Sequence, residues 1–347
     1  MEPDSDNSKT KFDKPLFVYR INTKEVSNIV KEMIKHLIEQ KYVEYIFLEN
    51  FYDIDNDENF NKYDRTKYFR KFNADEENAK ECNLCIIVGG DGTCLWANSI
   101  FKHLDKPPFI CFHGGNLGFL AIYDTQEFEN IFKELYSHQN FSIIKRKEIK
   151  CVVYEKEEKK KENEGIRSFN KKFTVVGEAS NFVGYKEKAV YNALNEIVLE
   201  KTSNMSYLCL YLENHMLAKI KSDGLICSTA TGSTAYSLSA GGPILHNSVD
   251  AIIITSICPF SLSFRPMVLP QDIKLRVKHN GEFPEKKSMI KMDGRMKGVL
   301  EENQYLEISL SEKTIDFIVL NAIKKNLDQL WIDKISKSLK WNFEFPY

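Results

Sequence analysis

The chain has 347 residues, 43% of them hydrophobic and 28% charged, with a formal net charge of −1. That length accommodates two domains with substantial cores, and the composition is ordinary for a globular protein. The near-neutral balance argues against a polyanion or membrane-surface partner: Lys and Asn are abundant but spread over loops, and the basic run Lys159 to Lys161 sits among Glu residues.

The stretch from Met1 to Phe12 is polar and has no apolar core of the kind a signal peptide carries. Leu16 to Tyr19 reads as a short strand. Lys24 to Gln40 places Val26, Ile29, Val30, Met33, Ile34, Leu37 and Ile38 at helical spacing. Val43 to Leu48 is a second strand candidate. Tyr52 to Lys80 is rich in Asn, Asp and Lys and reads as an exposed insertion of low structural content. A five-residue apolar strand, Leu84 to Val88, then leads into G-G-D-G-T, and Phe109 to Phe112 is another buried strand that ends in a glycine-rich turn, His113 to Phe119. Gln126 to Ser137 looks helical. Strands alternating with helices predict an α/β domain with a doubly wound, Rossmann-like parallel sheet over about residues 13–142.

From about Phe141 the texture becomes β-rich. Cys151 to Tyr154, Phe173 to Val176, Ala189 to Leu199, Tyr207 to Leu212 and Met216 to Ile220 are short runs separated by turns, and Lys156 to Lys172 is a hydrophilic loop. They predict a mainly antiparallel β domain over about 143–321. Leu327 to Leu339 returns to helical spacing, and segment 322–347 is expected to pack back on the first domain. The longest apolar stretches, around Ala251 to Ile257, are too short to span a bilayer. Eight cysteines lie mostly in strand-like segments, and Cys82-x-x-Cys85 has no second pair at zinc-site spacing, so they read as buried thiols of a cytoplasmic protein.

Three constellations carry chemistry. In Gly89-Gly90-Asp91-Gly92-Thr93 the glycines let backbone N–H groups approach phosphate oxygens. Asp91 places a carboxylate where a purely structural phosphate cradle has no use for negative charge. It activates a hydroxyl, holds a metal ion, or, in the plainer reading, caps the following helix. Neither a Walker P-loop nor a strand-linked G-x-G-x-x-G occurs in the chain, so the usual phosphate lysine is missing. The second constellation is Asp223 to Pro243, dense in hydroxyls and glycines. It offers donors and acceptors suited to a ribose or purine edge; a close-packed small-residue helix is the alternative. The third is Asn195-Glu196, a polar pair inside an apolar β-like run, which costs folding energy unless satisfied.

Taken together, these segments resemble the NAD kinase family, the ATP-dependent enzymes that phosphorylate NAD on its adenosine 2′-hydroxyl. G-G-D-G-T alone is shared with diacylglycerol and sphingosine kinases. L-G-F-L (Leu117 to Leu120), Asn195-Glu196, S-D-G (Ser222 to Gly224), T-G-S-T-A-Y-S-L-S-A-G-G-P (Thr231 to Pro243) and F-R-P (Phe264 to Pro266) make the resemblance more specific. It covers roughly residues 84–300. By that resemblance Asp91 is the proton acceptor for the 2′-hydroxyl, with Gly89, Gly90, Gly92, Thr93 and Phe119 in the nucleotide site. Asn195 and Glu196 hold the NAD ribose and nicotinamide half. Thr234, Ala235, Tyr236, Ser237 and Ser239 surround adenosine, and Asp223 stands near the nicotinamide. Lys221 occupies a place where arginine is common in bacterial members, keeping the charge but losing the planar fork. Ala230 stands where proline is usual, and Arg295 where a polar amide is common.

The resemblance implies NAD and ATP as substrates, Mg2+ or another divalent cation accompanying ATP, and a homo-oligomer, dimer or tetramer, with no nucleic acid or membrane partner. Two rival readings stand beside it. A G-G-D-G-T lipid kinase should show an apolar channel or membrane face, and no such amphipathic segment is evident. A nucleotide-binding protein without catalysis would do better without the Asp91 charge.

Overall fold

The computed structural model describes residues 12–20, 24–49, 54, 57–101, 104–115, 118–157, 182–283 and 286–339. They form two compact units, residues 1–145 with 315–347, and residues 146–314.

Unit 1 is built on a parallel sheet. β1 (Pro15–Tyr19) pairs with β2 (Ile46–Leu48) on one side and β4 (Leu84–Val88) on the other. β2 pairs with β3 (Phe69–Lys71), β4 with β5 (Phe109–His113), and β5 with the short β6 (Tyr123–Asp124), all in parallel. Every side chain of β4 is buried. The burial of five such apolar side chains contributes on the order of 10 kcal/mol before chain entropy is subtracted. That gives the loop after β4 a rigid base. α1 (Lys24–Glu39) buries Val30, Met33, Ile34, Leu37 and Ile38, the stripe that the 3.6-residue spacing predicts. α2 (Asp91–Phe101) follows β4 across two glycines, and Gly89 N donates to Phe112 O at 2.8 Å, clamping the β4 exit to β5.

The described part of the segment expected to be an exposed insertion is folded, and this corrects the sequence reading. It holds a helical turn at Glu58–Phe60, a short helix at Arg65–Tyr68, β3 and a helix at Glu76–Glu81. Phe60, Phe69 and Phe72 supply the driving force: all three are buried, and Phe60 packs against Phe69. Asp64 and Asp75, which look like loop residues, are N-caps that accept backbone N–H bonds.

Unit 2 is antiparallel throughout. In one sheet β10 (Ser206–Leu212) lies between β11 (His215–Ser222) and β15 (Leu275–His279), and β15 pairs with the first half of β18 (Gln304–Leu320). β7 (Phe141–Lys156) pairs with β8 (Tyr185–Ala193). The second sheet runs β14 (Met267–Pro270), β13 (Ala251–Ile257), β12 (Gly224–Ser228), β9 (Glu196–Lys201), β16 (Ser288–Met292), β17 (Arg295–Leu300). The unit's core draws Leu208, Leu210 and Val277 from the first sheet and Leu199, Cys227 and Ile254 from the second. The run read as one strand, Ala189 to Leu199, is two: β8 ends at Ala193 and β9 begins at Glu196. The expected strand at Phe173 to Val176 lies outside the described residues. The chain returns to unit 1 in the second half of β18 and ends its described course in α3 (Leu327–Leu339).

All eight cysteines are free, and seven are buried. Burial pushes the Cys85 thiol well above the ordinary range, and the hydrogen bond with Cys111, followed by burial, does the same to Cys94, which leaves both unreactive at neutral pH. Among the described residues, no helix is long and apolar enough to cross a membrane.

Candidate active site

The structure gathers the sequence-predicted residues into two groups, one in each unit. In unit 1, Asp91 stands at the first turn of α2 and reaches across to the turn 118–121. Its Oδ2 accepts the backbone N–H of Phe119 at 2.8 Å, and its Oδ1 accepts those of Leu120 at 2.9 Å and Ala121 at 3.3 Å. Three successive amides therefore cradle one carboxylate. Gly118 makes the approach possible: a Cβ on it would stand 2.2 Å from Asp91 Oδ1. The plainer reading, Asp91 as a cap of its own helix, does not describe this geometry, because the carboxylate serves another loop.

A carboxylate offers about four acceptor directions. Three are taken by the cradle, and the remaining one belongs to Oδ2. The loop around Asp91 is open: Gly90 and Gly92 are exposed, and among the described residues outside their own backbone neighbours no atom lies within 4 Å of where a Cβ on either would stand. On the inner side Gly89 faces Thr93, whose Oγ1 would meet a Cβ there at 2.3 Å. Phe119 is half-buried, and its carbonyl accepts the ammonium of Lys334 from α3 at 3.3 Å.

In unit 2, Asn195 directly precedes β9 and Glu196 opens it, and both are buried. Their backbone is held by a residue that sequence reasoning passed over. Asp293 accepts the N–H of Leu194 on Oδ2 at 2.9 Å, and those of Asn195 and Glu196 on Oδ1 at 2.8 and 3.3 Å. Asp293 and Gly294 form the β16–β17 turn with positive φ at both positions, 47° and 75°, the conformation that Asp-Gly hairpins favour. The D-G dipeptide was a visible signal for that turn. The carboxylate's second task was not.

The other side of the pair is closed by the hydroxyl-rich segment. Thr229 Oγ1 donates to Leu194 O at 2.7 Å, and Gly232 packs so closely on Asn195 that a Cβ would lie 2.1 Å from its carbonyl oxygen. Ser237 and Thr255 share a buried hydrogen bond of 3.0 Å. Thr234 lies in the turn Thr231–Thr234, and Tyr236 and Ser239, both exposed, bound the short helix Tyr236–Ser239. Ala235 links the two and is partly buried. The segment is thus a compact knob of two short helical turns.

Glu196 is the most perturbed acid of the group. Burial first, and the Asp293 charge second, push its carboxyl up to about 7, against a partial offset from the Tyr236 backbone N–H. Its Oε2 is buried with no hydrogen-bond partner. A buried carboxyl oxygen in that state has acceptor capacity to offer a donor. Burial also holds the Asp293 carboxyl above its usual range.

Lys221 and Asp223 lie at the far end of β11. The Lys221 ammonium sits 4.3 Å above the Phe260 ring and 5.1 Å from that of Tyr207. It borders a cleft of about 480 Å³ also lined by Leu217, Lys219, Phe264 and Arg265. Asp223 pairs with Lys201 at 2.7 Å. Among the described residues no cluster of three His, Cys, Asp or Glu side chains has the arrangement of a metal site.

The chain resembles known proteins in both sequence and fold. The ATP-NAD kinase N-terminal domain model matches residues 16–140, and the ATP-NAD kinase C-terminal domain model matches residues 194–320. An ATP-NADH kinase of Saccharomyces cerevisiae is 29% identical over 340 residues, covering 94% of this chain and 63% of the relative. A mitochondrial NADH kinase of Schizosaccharomyces pombe is 33% identical over 264 residues, covering 75% and 59%. The chain thus spans about three fifths of the length of these two curated relatives. The crystal structure of yeast NADH kinase complexed with NADH superposes with a TM-score of 0.77 at 25% identity, covering 97% of this chain and 90% of that one. An NAD kinase from Archaeoglobus fulgidus shares the fold at a TM-score of 0.60. With both domain models matched in order, one on each side of the β7–β8 region, the chain belongs to the ATP-NAD kinase family.

Proposed function

We propose that the protein transfers the terminal phosphoryl group of ATP to the adenosine 2′-hydroxyl of NAD or NADH, giving NADP or NADPH. The observation that carries this reading is the Asp91 cradle. A carboxylate fixed by three backbone N–H groups, with one acceptor direction left on Oδ2, is built to receive a single hydroxyl proton from one direction.

Phosphoryl transfer does not call for a strong base. In a loose transition state the bond to the incoming oxygen is scarcely formed, so the hydroxyl needs aiming more than early deprotonation. Asp91 orients the 2′-hydroxyl and takes its proton as the new P–O bond develops. The leaving ADP oxygen carries away the electron pair of the broken P–O bond. The open faces of Gly90 and Gly92 leave room for phosphate oxygens against the loop. In unit 2, Asn195 and Glu196 supply the ribose-binding pair, and the unpartnered Glu196 Oε2 is suited to accept a hydroxyl or amide donor of the dinucleotide. Thr234, Ala235, Tyr236, Ser237 and Ser239 form the adenosine-facing segment, with Lys221 and Asp223 on the nicotinamide side.

Asp91 is poorly disposed as a metal ligand, since most of its acceptor directions already face amides. A divalent cation therefore belongs to the substrate and arrives on the triphosphate of ATP. Cytoplasmic residence and assembly into dimers or tetramers are part of the same proposal. Leu262, 91% exposed, and Phe260, 68% exposed, give unit 2 apolar surface for assembly.

The test is direct. The full chain is incubated with Mg2+ and ATP and either NAD, NADH or diacylglycerol, and the products are resolved chromatographically. NADP or NADPH is expected, with no phosphatidic acid. Absence of a phosphorylated dinucleotide with ATP or polyphosphate as donor would refute the proposal.

A further inference from the structure

We propose that Lys334, carried on α3, is a positioning residue for this reaction: it holds the Asp91 cradle in register through the Phe119–Leu120 peptide. The inference rests on the kinase reading of Asp91 and adds a residue to it. Lys334 is only 5% exposed, whereas Ile332 on the same helix is 48% exposed. Lysine normally keeps its ammonium in water, and burying the charge is costly unless acceptors hold it. A helix that turns an isoleucine outward and a lysine inward needs a reason. One acceptor of Lys334 Nζ, Phe119 O at 3.3 Å, supplies one.

That oxygen belongs to the same peptide group as the Leu120 N–H, which donates to Asp91 Oδ1 at 2.9 Å. The connection is therefore continuous: ammonium to carbonyl, across one planar amide, N–H to carboxylate. A cation on the carbonyl polarises the amide and strengthens the bond made by its N–H. It also prevents the peptide from rotating away. With the ammonium gone, Asp91 keeps its bonds to Phe119 and Ala121, but the central one weakens and the carboxylate loses its fixed direction. The glycine loop has no lysine of the Walker type, and Lys334 brings its ammonium to the turn that holds Asp91.

The experiment uses the full chain with Lys334→Met and Lys334→Arg, and Lys334→Gln as a second neutral variant that retains an N–H donor. For Lys334→Met, kcat should fall roughly tenfold, less than the 10² that a full ångström of misplacement costs. KM for ATP and for the dinucleotide should stay within about twofold, the pattern of a loss confined to the transition state. Lys334→Arg should recover most of the rate. Hydrogen exchange at residues 119–121 should accelerate in Lys334→Met while α1 stays protected. If Lys334→Met does not fold, Lys334→Gln is read against Lys334→Arg in the same way. A kcat equal to the parent's, loss of kcat and KM together with faster exchange across all of α3, or an arginine no better than methionine would each overturn the assignment. A parent protein that makes no NADP or NADPH would instead overturn the kinase reading. The exchange rates at 119–121 would still decide whether Lys334 grips the turn.

Discussion

Replacing Gly118 with alanine should disable the enzyme without touching a reacting group. The new Cβ would stand 2.2 Å from Asp91 Oδ1, 2.9 Å from its Cγ and 3.3 Å from Oδ2. Ordinary van der Waals contact begins near 3.4 Å, so the carboxylate or the turn has to move by about 1.2 Å. Gly118 is not in the left-handed region, so the effect comes from contact alone. A displacement of that size costs about 10² in kcat when it falls on a positioned catalytic group. Overpacking and lengthening of the three cradle bonds should also lower stability by about 1–3 kcal/mol. The assay is the initial rate of NADP formation, read with an NADP-specific dehydrogenase, beside a thermal melt. Gly115→Ala is the internal control, because among the described residues nothing beyond its chain neighbours lies within 4 Å of a Cβ there. A Gly118→Ala enzyme with kcat within about threefold of the parent would show that Asp91 need not be held in this position, and the mechanism built on the cradle would fall.

Asp91→Asn should lower kcat by about 10²–10⁴ by removing the base. It should also lower the melting temperature, because the amide can turn its oxygen to Leu120 and Ala121 only by setting its NH2 against the Phe119 N–H. Turnover near the parent's would exclude Asp91 as the proton acceptor. Glu196 predicts a pH dependence of stability. Its folded carboxyl titrates at about 7 against an ordinary 4.5, so folding favours the protonated form. The stabilisation is complete below pH ~4.5 and is lost as pH rises through 7, amounting to about 3 kcal/mol. Glu196→Gln should flatten the melting curve of unit 2 between pH 5 and 8, and a pH profile unchanged by the substitution would contradict the assignment. Asp293→Asn should raise KM for the dinucleotide about tenfold or more while leaving kcat less affected, since one charge-assisted bond to the 194–196 backbone is worth about 1.5–3 kcal/mol. Steady-state kinetics against NAD and ATP separate the two, and an unchanged KM for NAD would remove Asp293 from the binding machinery.

Much of the architecture was legible because it is written in periodicity. α1 shows its stripe at Val30, Met33, Ile34 and Leu37, and β4 is an unbroken apolar run, which is how a strand covered on both faces reads. The segment 52–80 reads as a loop because its apolar anchors, Ile54, Phe60, Phe69 and Phe72 among them, are few and widely spaced, and its Asp64 and Asp75 caps have the same composition as a solvated loop. At the site, the chemistry-bearing residues were visible as residue types: an acid among glycines, a polar pair in a strand. Their supports were not. Asp293 lies 97 residues from Glu196, and Lys334 lies 215 residues from Phe119. Both act through backbone groups, which carry no residue identity for a sequence to display. A pattern read along the chain records what a side chain is, and these two matter for which peptide they touch.

The two aspartates make the same contact and are left with different properties. Each accepts one N–H on Oδ2 and the next two on Oδ1, so each fixes a run of three residues. Asp91 has the open glycine loop beside it, which leaves its last acceptor direction available to a substrate hydroxyl. Asp293 is hemmed in by burial and by the Glu148 charge, which hold its carboxyl above the usual range. Its charge in turn helps to push Glu196 up to about 7. The grip explains the placement of both turns, and the surroundings explain why one acid suits chemistry and the other suits support.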